Sequence, residues 1–237
     1  MSHANLDGKV VAIAGAAGGL GPDVAQLLAR RGATIALGER DGDRLEQVVA
    51  DLGLPEDKID ARVVDLLSLD DARAWADSLG ERFGSVDALV HLVGGWRGGK
   101  GIGEAPLEDD TFLHDVLVRS VQLATRAFLP ALAESAGRFV IVSSPQADKP
   151  SADNAAYGSA KAAAEAWTLA FADELAPHGG TANIIRVNAI VTPKMRADSP
   201  DKAFKTFTDT AEIAQAVHLL LSEAGRKMNG QRLSLHP

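Results

Sequence analysis

The chain has 237 residues, of which 46% are hydrophobic and 24% are charged, an ordinary composition for a globular domain. Its formal net charge of −8 argues against nucleic acid as the main partner, because a phosphate-binding surface needs a basic patch. The absence of cysteine excludes disulfides, thiolate metal sites and a cysteine nucleophile, and it is compatible with a reducing cytoplasm.

Neither secretion nor membrane insertion is expected. Segment 1–9 lacks the basic start and apolar run of a signal peptide. No stretch approaches the roughly 18 uncharged apolar residues that a membrane span needs. We therefore expect a cytoplasmic protein without membrane contact. Since no repeat or linker divides the chain, residues 1–237 are expected to form one domain.

The first predicted strand and the turn after it favour nucleotide binding. Residues 10–14 are a continuous apolar run, typical of a strand buried on both faces. Gly15, Gly19 and Gly21 follow, and an apolar helical stripe begins near Val24. Glycines let the backbone approach a pyrophosphate, and a helix N-terminus offers N–H groups and a positive dipole end. The alternative is a flexible turn without a ligand.

The end of the second predicted strand, 34–37, bears on the choice of cofactor. Glu39 and Arg40 lie just beyond it. An acidic residue about 20 positions after the glycine turn accepts hydrogen bonds from ribose hydroxyls, whereas an arginine suits a 2′-phosphate. Because Glu39 takes the strand-end position, NAD is favoured and NADP stays open. Two solvated charges without a ligand are the remaining alternative.

Predicted strands and helices alternate along the rest of the chain. Further helices are predicted at 44–52, 69–83, 109–133, 154–176 and 212–221, and further strands at 59–64, 86–93, 138–142, 182–190 and 231–235. The alternation predicts an α/β fold of Rossmann type: a doubly wound, mainly parallel seven-stranded sheet flanked by helices in three layers. Ligands of such sheets bind beyond the strands' carboxyl ends, so segments 94–106 and 191–209 are expected to form substrate loops.

One stretch carries the candidate chemistry. The only tyrosine, Tyr157, is followed four residues later by Lys161, so on a helix the phenol and the ammonium share one face. A neighbouring cation stabilises a phenolate and lowers the phenol pKa from about 10 toward the range of an acid/base. Taken alone, such a pair is more often a packed aromatic ring and a solvated lysine. Ser144 stands 13 residues before Tyr157, at a predicted strand end.

Together these motifs resemble the short-chain dehydrogenase/reductase family over essentially the whole chain. The turn matches the family's Gly-x-x-x-Gly-x-Gly motif, with Ala14 in place of a preceding threonine. The resemblance implies hydride transfer between nicotinamide and the carbonyl or alcohol carbon of a small molecule. It makes Tyr157 the general acid/base, Lys161 the group that lowers its pKa and holds the nicotinamide ribose, and Ser144 a hydrogen-bond partner of the reacting oxygen.

The resemblance also assigns the cofactor contacts, and it implies no metal site. Asp65, after the third predicted strand, would contact the edge of the adenine. The full set of expected cofactor-binding residues is Gly15, Gly18, Gly19, Leu20, Glu39, Arg40, Asp65, Leu66, Val93, Gly94, Tyr157, Lys161 and Thr192.

The chain departs from the family pattern at three places. His91-Leu92-Val93-Gly94 stands where the family has Asn-Asn-Ala-Gly, and we interpret His91 as a satisfied core or strand-end histidine rather than a tuned acid/base. Leu117 falls where the family has an asparagine that shapes the helix and holds a water of the proton relay. Segment 191–193, Val-Thr-Pro, replaces a Pro-Gly that covers the nicotinamide.

These departures motivate two alternatives to a hydride-transferring enzyme. One is an impaired or inactive relative that acts as a cofactor-bound scaffold or subunit partner. The other keeps Tyr157 but uses it for non-redox chemistry such as dehydration or isomerisation.

The remaining expectations concern partners. The resemblance makes helices 109–133 and 154–176 the usual subunit interface, so a homodimer or homotetramer is expected. Trp96 and Arg97, in a glycine-rich loop, are candidates to touch substrate. A basic segment follows the sixth predicted strand and indicates either an anionic substrate or an ordinary solvated lid. Its cations are Lys194, Arg196, Lys202 and Lys205.

Overall fold

A computed structural model describes residues 5–236; residues 1–4, part of the segment in which no signal peptide is expected, and residue 237 lie outside the described residues. The strands within this range are β1 (Val10–Ala14), β2 (Thr34–Glu39), β3 (Ile59–Val63), β4 (Ala88–His91), β5 (Arg138–Ser143), β6 (Thr181–Arg186), β7 (Ala189–Val191), β8 (Phe207–Asp209) and β9 (Arg232–Ser234). The α-helices are α1 (Gly21–Arg30), α2 (Gly42–Leu52), α3 (Leu69–Phe83), α4 (Leu107–His114), α5 (Ser120–Glu134), α6 (Ala155–Leu175), α7 (Pro193–Asp198) and α8 (Thr210–Leu221).

Seven strands form one parallel sheet in the order β3-β2-β1-β4-β5-β6-β9, which confirms the predicted fold class. The strand order reverses between β1 and β4. At this edge Ala14 is the register partner of both Gly38 in β2 and His91 in β4. A switch point of this kind opens a crevice beyond the carboxyl ends of the strands, where ligands of such sheets bind.

Helices cover both faces of the sheet because its strands are apolar on both sides. One core lies between the sheet and α1, α2 and α8, and the other between the sheet and α3, α5 and α6. In the second core the rings of Trp75 and Phe128 make a T-shaped contact with centroids 5.0 Å apart, a geometry that adds about 0.5–1.5 kcal/mol beyond area burial. Gly38 makes room for it, since a Cβ there would lie 2.6 Å from the Trp75 ring.

The predicted sixth strand, 182–190, is interrupted in the structure. β6 ends at Arg186, and β7 pairs with β8 in a separate parallel ladder. Between the two strands, the Asn188 side chain donates to the Thr206 carbonyl at 3.3 Å and holds the chain outside the main sheet. The sequence did not indicate this break because the apolar pattern continues across it.

The predicted helix 109–133 is also interrupted. Its helical course begins at Leu107 and includes a π-helical turn, Asp115–Arg119, between α4 and α5. By length and composition the stretch Leu107–Glu134 could cross a membrane, with a mean hydropathy of 1.2, although half of its most apolar window is buried in the fold. Its apolar side chains pack against α3, α6 and the sheet, which accounts for that composition.

Candidate active site

The turn between β1 and α1 requires glycine at two positions for packing. Gly15 has φ of +78°, and a Cβ there would lie 2.8 Å from the backbone nitrogen of Val93. A Cβ at Gly21 would lie 2.1 Å from the carbonyl oxygen of Ala16. At Gly19 a Cβ would meet nothing closer than 3.5 Å, so packing alone does not explain this glycine. Gly19 instead lines a cavity, where a side chain would take space from a ligand.

The N-terminus of α1 is open to the same cavity. Leu20 is its N-cap residue and makes no side-chain capping hydrogen bond. Gly18, Gly19, Leu20 and Gly21 all line the cavity. The first N–H groups of a helix lack intrahelical partners, and the helix dipole places positive charge there. The turn therefore has the chemistry of a phosphate cradle.

Two cavities meet at this turn. The first cavity has a volume of about 610 Å³ and extends from the glycine turn to Tyr157 and Lys161. The second cavity has a volume of about 270 Å³ and extends from the same turn to β2 and β3. They share the wall residues Gly15, Gly18, Leu92, Val93 and Gly94. The joined space suits an elongated ligand with its phosphates at the glycine turn and its two ends in separate cavities.

Three predicted catalytic residues converge on the first cavity, namely Ser144, Tyr157 and Lys161. Ser144 follows β5 directly and is 1% exposed. Tyr157 and Lys161 lie one turn apart on α6, with the ammonium nitrogen 5.8 Å from the centre of the phenol ring. Lys161 Nζ donates a hydrogen bond of 2.8 Å to the Val142 carbonyl of β5, which fixes the ammonium at the strand end.

The ionisation of Tyr157 differs from the expectation. Burial raises the pKa of the Tyr157 hydroxyl, and hydrogen bonding by Ser144 offsets only part of that rise. Lys161 sits beside the ring and bonds the Val142 carbonyl, so the expected lowering of the phenol pKa by Lys161 is not found. Burial lowers the pKa of Lys161 to about 8, although the negative charge of Glu165 opposes this shift.

A buried cluster of charges lies one helical turn beyond Lys161, and it was not predicted from the sequence. Glu165 is 2% exposed and accepts hydrogen bonds from Arg186 Nε at 2.8 Å and Arg232 Nε at 2.7 Å. Arg186 Nη2 also donates to the exposed carboxylate of Asp148, at 2.9 Å. Burial alone would raise the pKa of Glu165, but the hydrogen bonds from the two arginines outweigh it and lower the pKa. The cluster joins α6, β6 and β9 to the segment after Ser144.

The second cavity carries the predicted selectivity residues. Glu39 Oε2 accepts from the Ala17 N–H at 3.1 Å, and Glu39 Oε1 accepts from the Arg40 N–H at 2.8 Å. These bonds hold the carboxylate against the glycine turn. Arg40 lines the same cavity, as do Asp65 and Leu66. Arg44 was not predicted as a site residue. It also lines the second cavity and donates to the Ala17 carbonyl.

Thr192 lies at the edge of the first cavity rather than in its lining. Its Oγ1 accepts from the Met195 N–H at 3.1 Å and caps α7. A Cβ built on Gly19 would be 3.7 Å from Thr192 Cγ2, so Thr192 stands beside the glycine turn. Its hydroxyl proton is free to donate to a ligand even while the oxygen serves as the cap.

The lining of the first cavity also includes Trp96, Gln146 and Asn154. Trp96 is 56% exposed, and its Nε1 donates to Asn154 Oδ1 at 2.9 Å, which ties the glycine-rich loop to the start of α6. Gln146 Oε1 accepts from the Ser151 N–H at 2.8 Å. Neither Gln146 nor Asn154 was predicted, because nothing local in the sequence marks their place beside Trp96.

The basic segment after β7 is largely neutralised by its own contacts. Lys194 pairs with Asp198, and Arg196 forms a two-pronged ion pair with Asp209 at 2.7 and 2.8 Å. Lys202 lies over the ring of Phe204. The first cavity is not lined by any of these cations, nor by Arg97. Arg97 instead covers the ring of Phe112. The arrangement agrees with the solvated-lid interpretation.

Leu117 packs beside the candidate catalytic tyrosine. It is 2% exposed, belongs to a small apolar cluster with Leu113, Val118 and Ala160, and Tyr157 packs against that cluster. The irregular π-helical turn forms around Leu117 although the asparagine of the family motif is missing. Leu117 thus supplies packing to Tyr157 but no polar atom from its side chain.

A family model for short chain dehydrogenases matches residues 9–208. The short-chain dehydrogenase/reductase aba4 of Botryotinia fuckeliana is 30% identical over 254 residues, covering 99% of this chain and 98% of that protein. The chain therefore belongs to the short-chain dehydrogenase/reductase family, whose members are oxidoreductases, as its motifs predicted.

Solved structures agree with the fold. A 3-ketoacyl-(acyl-carrier-protein) reductase from Brucella melitensis, complexed with NADH, has a TM-score of 0.85 and 25% identity, covering 98% of each chain. A short chain dehydrogenase from Burkholderia cenocepacia, in complex with NADP, has a TM-score of 0.82 and 29% identity, covering 97% of each chain.

Proposed function

We propose that this protein is an NAD-dependent oxidoreductase that transfers a hydride between nicotinamide and a carbonyl or alcohol carbon. The observation that carries the proposal is the convergence of Ser144, Tyr157 and Lys161 on one cavity that continues into the glycine turn. One domain, residues 1–237, would carry both cavities, with substrate loops at 94–106 and 191–209. A reducing cytoplasm suits a chain without cysteine.

The residues present fit a nicotinamide dinucleotide. The uncapped N-terminus of α1 and the space at Gly19 suit a pyrophosphate, and the Glu39 carboxylate in the second cavity suits an adenosine ribose. When bound, the cofactor supplies or accepts the hydride. Lys161 and Thr192 would hold the nicotinamide end, and Asp65 and Leu66 the adenine end. Lys161 lines the first cavity and Thr192 stands beside Gly19, whereas Asp65 and Leu66 line the second cavity.

NAD is proposed over NADP because of Glu39. Its carboxylate is held at the cavity wall by the backbone N–H groups of Ala17 and Arg40, so it cannot easily turn away from a ligand. A fixed carboxylate accepts from ribose hydroxyls and repels a 2′-phosphate. Arg40 and Arg44 line the same cavity and would moderate that repulsion without removing it.

The side chains of the first cavity provide for movement of the proton. In the direction of carbonyl reduction, the Tyr157 hydroxyl gives its proton to the substrate oxygen while the carbon receives the hydride. The raised pKa of Tyr157 keeps it protonated for this role near neutral pH. Ser144 donates to the same substrate oxygen. The ammonium of Lys161, 5.8 Å from the ring centre, attracts the tyrosinate that forms, although burial outweighs this attraction and keeps the phenol pKa raised.

We propose an uncharged carbonyl or alcohol as the substrate class. Of the residues lining the first cavity only Lys161 carries a charge at neutral pH. In segment 191–209, Lys194 and Arg196 are paired with carboxylates outside the cavity. The exposed face of Trp96 suits an apolar or planar group. The side-chain nitrogen of Gln146, Nε2, has no hydrogen-bond partner among residues 5–236 and suits an acceptor oxygen.

The proposal is tested with Tyr157→Phe, which removes one hydroxyl and keeps the ring that packs on the Leu117 cluster. Turnover on a panel of aldehydes and ketones should fall by about 10²–10⁴-fold, while NADH binding measured by fluorescence stays within a factor of about two. Substantial turnover by this variant would exclude Tyr157 as the acid/base.

The wild-type protein in the same assay separates the alternatives. Tight binding of NADH without turnover on any substrate would favour the scaffold, and a product of unchanged oxidation state would favour dehydration or isomerisation.

We also propose self-association through α4, α5 and α6, as a homodimer or homotetramer. Leu107 and Ile102 are 78% and 73% exposed beside this face, and Trp167 and Leu129 line a shallow apolar cavity on it. Light scattering should show an even number of subunits. A monomer at all concentrations would contradict this inference.

A further inference from the structure

His91 is a buried titratable residue to which the proposed mechanism assigns no role. It ends β4, is 2% exposed and lines the first cavity. Its Nε2 has no hydrogen-bond partner among the described residues. A buried polar atom without a partner destabilises a protein unless something in the native site satisfies it. A buried histidine with an unpartnered nitrogen at the wall of the first cavity is therefore a candidate for a role in that cavity.

The neighbours of His91 restrict that role. Side chains alternate along a strand, so His91 lies on the same face of the sheet as Leu89, toward α5 and α6. Burial and the charge of Lys161 on α6 lower its pKa, and hydrogen bonding to the backbone, including that of Ser120 on α5, raises it by less. Tyr157 is the other titratable residue of the cavity, and the partners of His91 in β1 and β5 are apolar.

His91 is neutral at physiological pH. Burial first, and the charge of Lys161 second, lower its pKa to about 3. A neutral imidazole has one N–H donor and one acceptor nitrogen. If the N–H is directed to the Ser120 carbonyl, the other nitrogen is an acceptor on the side of a cation.

Lys161 has more N–H donors than its hydrogen bond to the Val142 carbonyl uses. An ammonium has three N–H donors, and one of them is used by the Val142 carbonyl. A water between His91 and Lys161 would have the imidazole nitrogen as acceptor and the ammonium as donor, which are enough polar partners to hold it. Leu117 supplies no polar atom to such a water.

We propose that His91 is a positioning residue that holds a water against the Lys161 ammonium and so takes the place of the polar side chain missing at Leu117. It acts through Lys161 on the tyrosine and does not touch the reacting atoms. The inference rests on the proposed function for its effect on turnover, but its effect on Lys161 can be measured without turnover.

Two substitutions separate this role from simple packing. His91→Leu keeps the volume and removes both nitrogens, and His91→Asn restores a polar group. We expect His91→Leu to lower kcat by about tenfold or more and His91→Asn to recover most of the loss, with NADH affinity unchanged in both. The Tm of His91→Leu should stay close to that of the wild type, because leucine fills a similar volume and Lys161 keeps its hydrogen bond to the Val142 carbonyl. Unchanged kcat in a well-folded His91→Leu would overturn the inference.

The second measurement is the pKa of Lys161 itself, from the pH dependence of its acylation by acetic anhydride, resolved by peptide mass spectrometry. Loss of the acceptor and its water leaves the ammonium less well solvated, so the pKa of Lys161 should fall in His91→Leu and return in His91→Asn. An unchanged pKa in His91→Leu would overturn the inference, even if the wild type turns over. A lowered pKa in a protein that shows no turnover would support it and refute only the proposed function.

Discussion

The two cavities meet at Gly15 and Gly18, yet their linings differ in charge. In the first cavity Lys161 is the only charged residue at neutral pH, and Ser144 and His91 beside it are buried. The second cavity is lined by the charged side chains of Glu39, Arg40, Arg44 and Asp65, of which all but Glu39 are exposed. The glycine turn is therefore the border between a space suited to proton transfer and a space suited to recognising a polar ligand.

This difference in charge shows how one fold separates proton transfer from the recognition of a polar ligand. Where protein surrounds a titratable group, burial dominates its pKa, as it does for His91 and Tyr157. Where charged groups face solvent, their energies are set mainly by hydrogen bonds to the backbone and are screened by salt. Mutations in the first cavity should change rates and pH dependence, and those in the second should change affinity and selectivity.

The largest expected effect comes from the buried charges beneath the first cavity. Glu165→Ala leaves Arg186 buried without its main partner and should lower the free energy of unfolding by about 3–5 kcal/mol. Urea denaturation followed by circular dichroism measures it. The matched control is Asp148→Ala, which removes an exposed partner of the same arginine and should cost about 0–1 kcal/mol. Equal losses would show that burial does not set the strength of this cluster.

The second-largest effect on stability is expected at Gly15, which lines both cavities. Gly15→Ala forces a Cβ into a left-handed conformation and against Val93, and it should destabilise the fold by about 1–2 kcal/mol. Cofactor affinity should fall because the same backbone lines both cavities. Gly80→Ala, at a site in α3 where a Cβ meets nothing within 4 Å, should instead stabilise the fold by about 0.5–1 kcal/mol. Thermal melts of both variants give the comparison, and a Gly15→Ala protein as stable as the wild type would contradict it.

The third effect is a pH dependence of stability caused by Lys161. Its pKa is about 8 in the folded protein and near 10.5 otherwise, so between these values the unfolded chain binds more protons. Stability from this residue therefore rises as pH increases from about 8 to about 10.5, by at most about 1.4 kcal/mol per pH unit. Urea unfolding at several pH values measures the slope, and Lys161→Met should remove it. The same slope in both proteins would refute the assignment.

The smallest effect concerns selectivity in the second cavity. Glu39→Gln removes the charge that repels a 2′-phosphate and keeps an acceptor, so the ratio of NADP to NAD affinity should rise by about tenfold, or about 1.4 kcal/mol. Asp65→Asn, on the same cavity wall, should change both affinities alike. Fluorescence titration with NADH and NADPH measures the ratios. A ratio unchanged by Glu39→Gln would remove Glu39 as the selector.

The fold was largely predictable because its signals are local. A continuous apolar run such as 10–14, followed by glycines, marks a buried strand and its turn without knowledge of the rest of the chain. α3 also begins at a local signal, since Ser68 caps it by accepting from the Asp71 N–H at 3.2 Å. The breaks at β7 and in the π-helical turn escaped prediction because their cause is contact with distant residues.

The residues of the candidate site also divide into those with a local sequence signal and those brought together by distant contacts. Ser144, Tyr157 and Lys161 could be predicted from spacing, because one strand end and one helix face carry them. No local sequence pattern predicts the contact between Glu165 and Arg232, because the two residues lie 67 positions apart. Likewise, a buried and satisfied His91 was predicted; it is buried, but its Nε2 has no hydrogen-bond partner among residues 5–236, because of how α5 and α6 pack beside it.

The ladder between β7 and β8 has a consequence for redesign. It fastens both ends of segment 192–206 to the rim of the first cavity, with Ala189 beside Phe207 and Val191 beside Asp209. A segment whose ends are already held together can change in length at little cost, since doubling a loop adds only about 0.6 kcal/mol of closure entropy. Segment 192–206 could therefore be replaced by a longer or shorter segment while Ile190 and the other residues that line the first cavity stay in place.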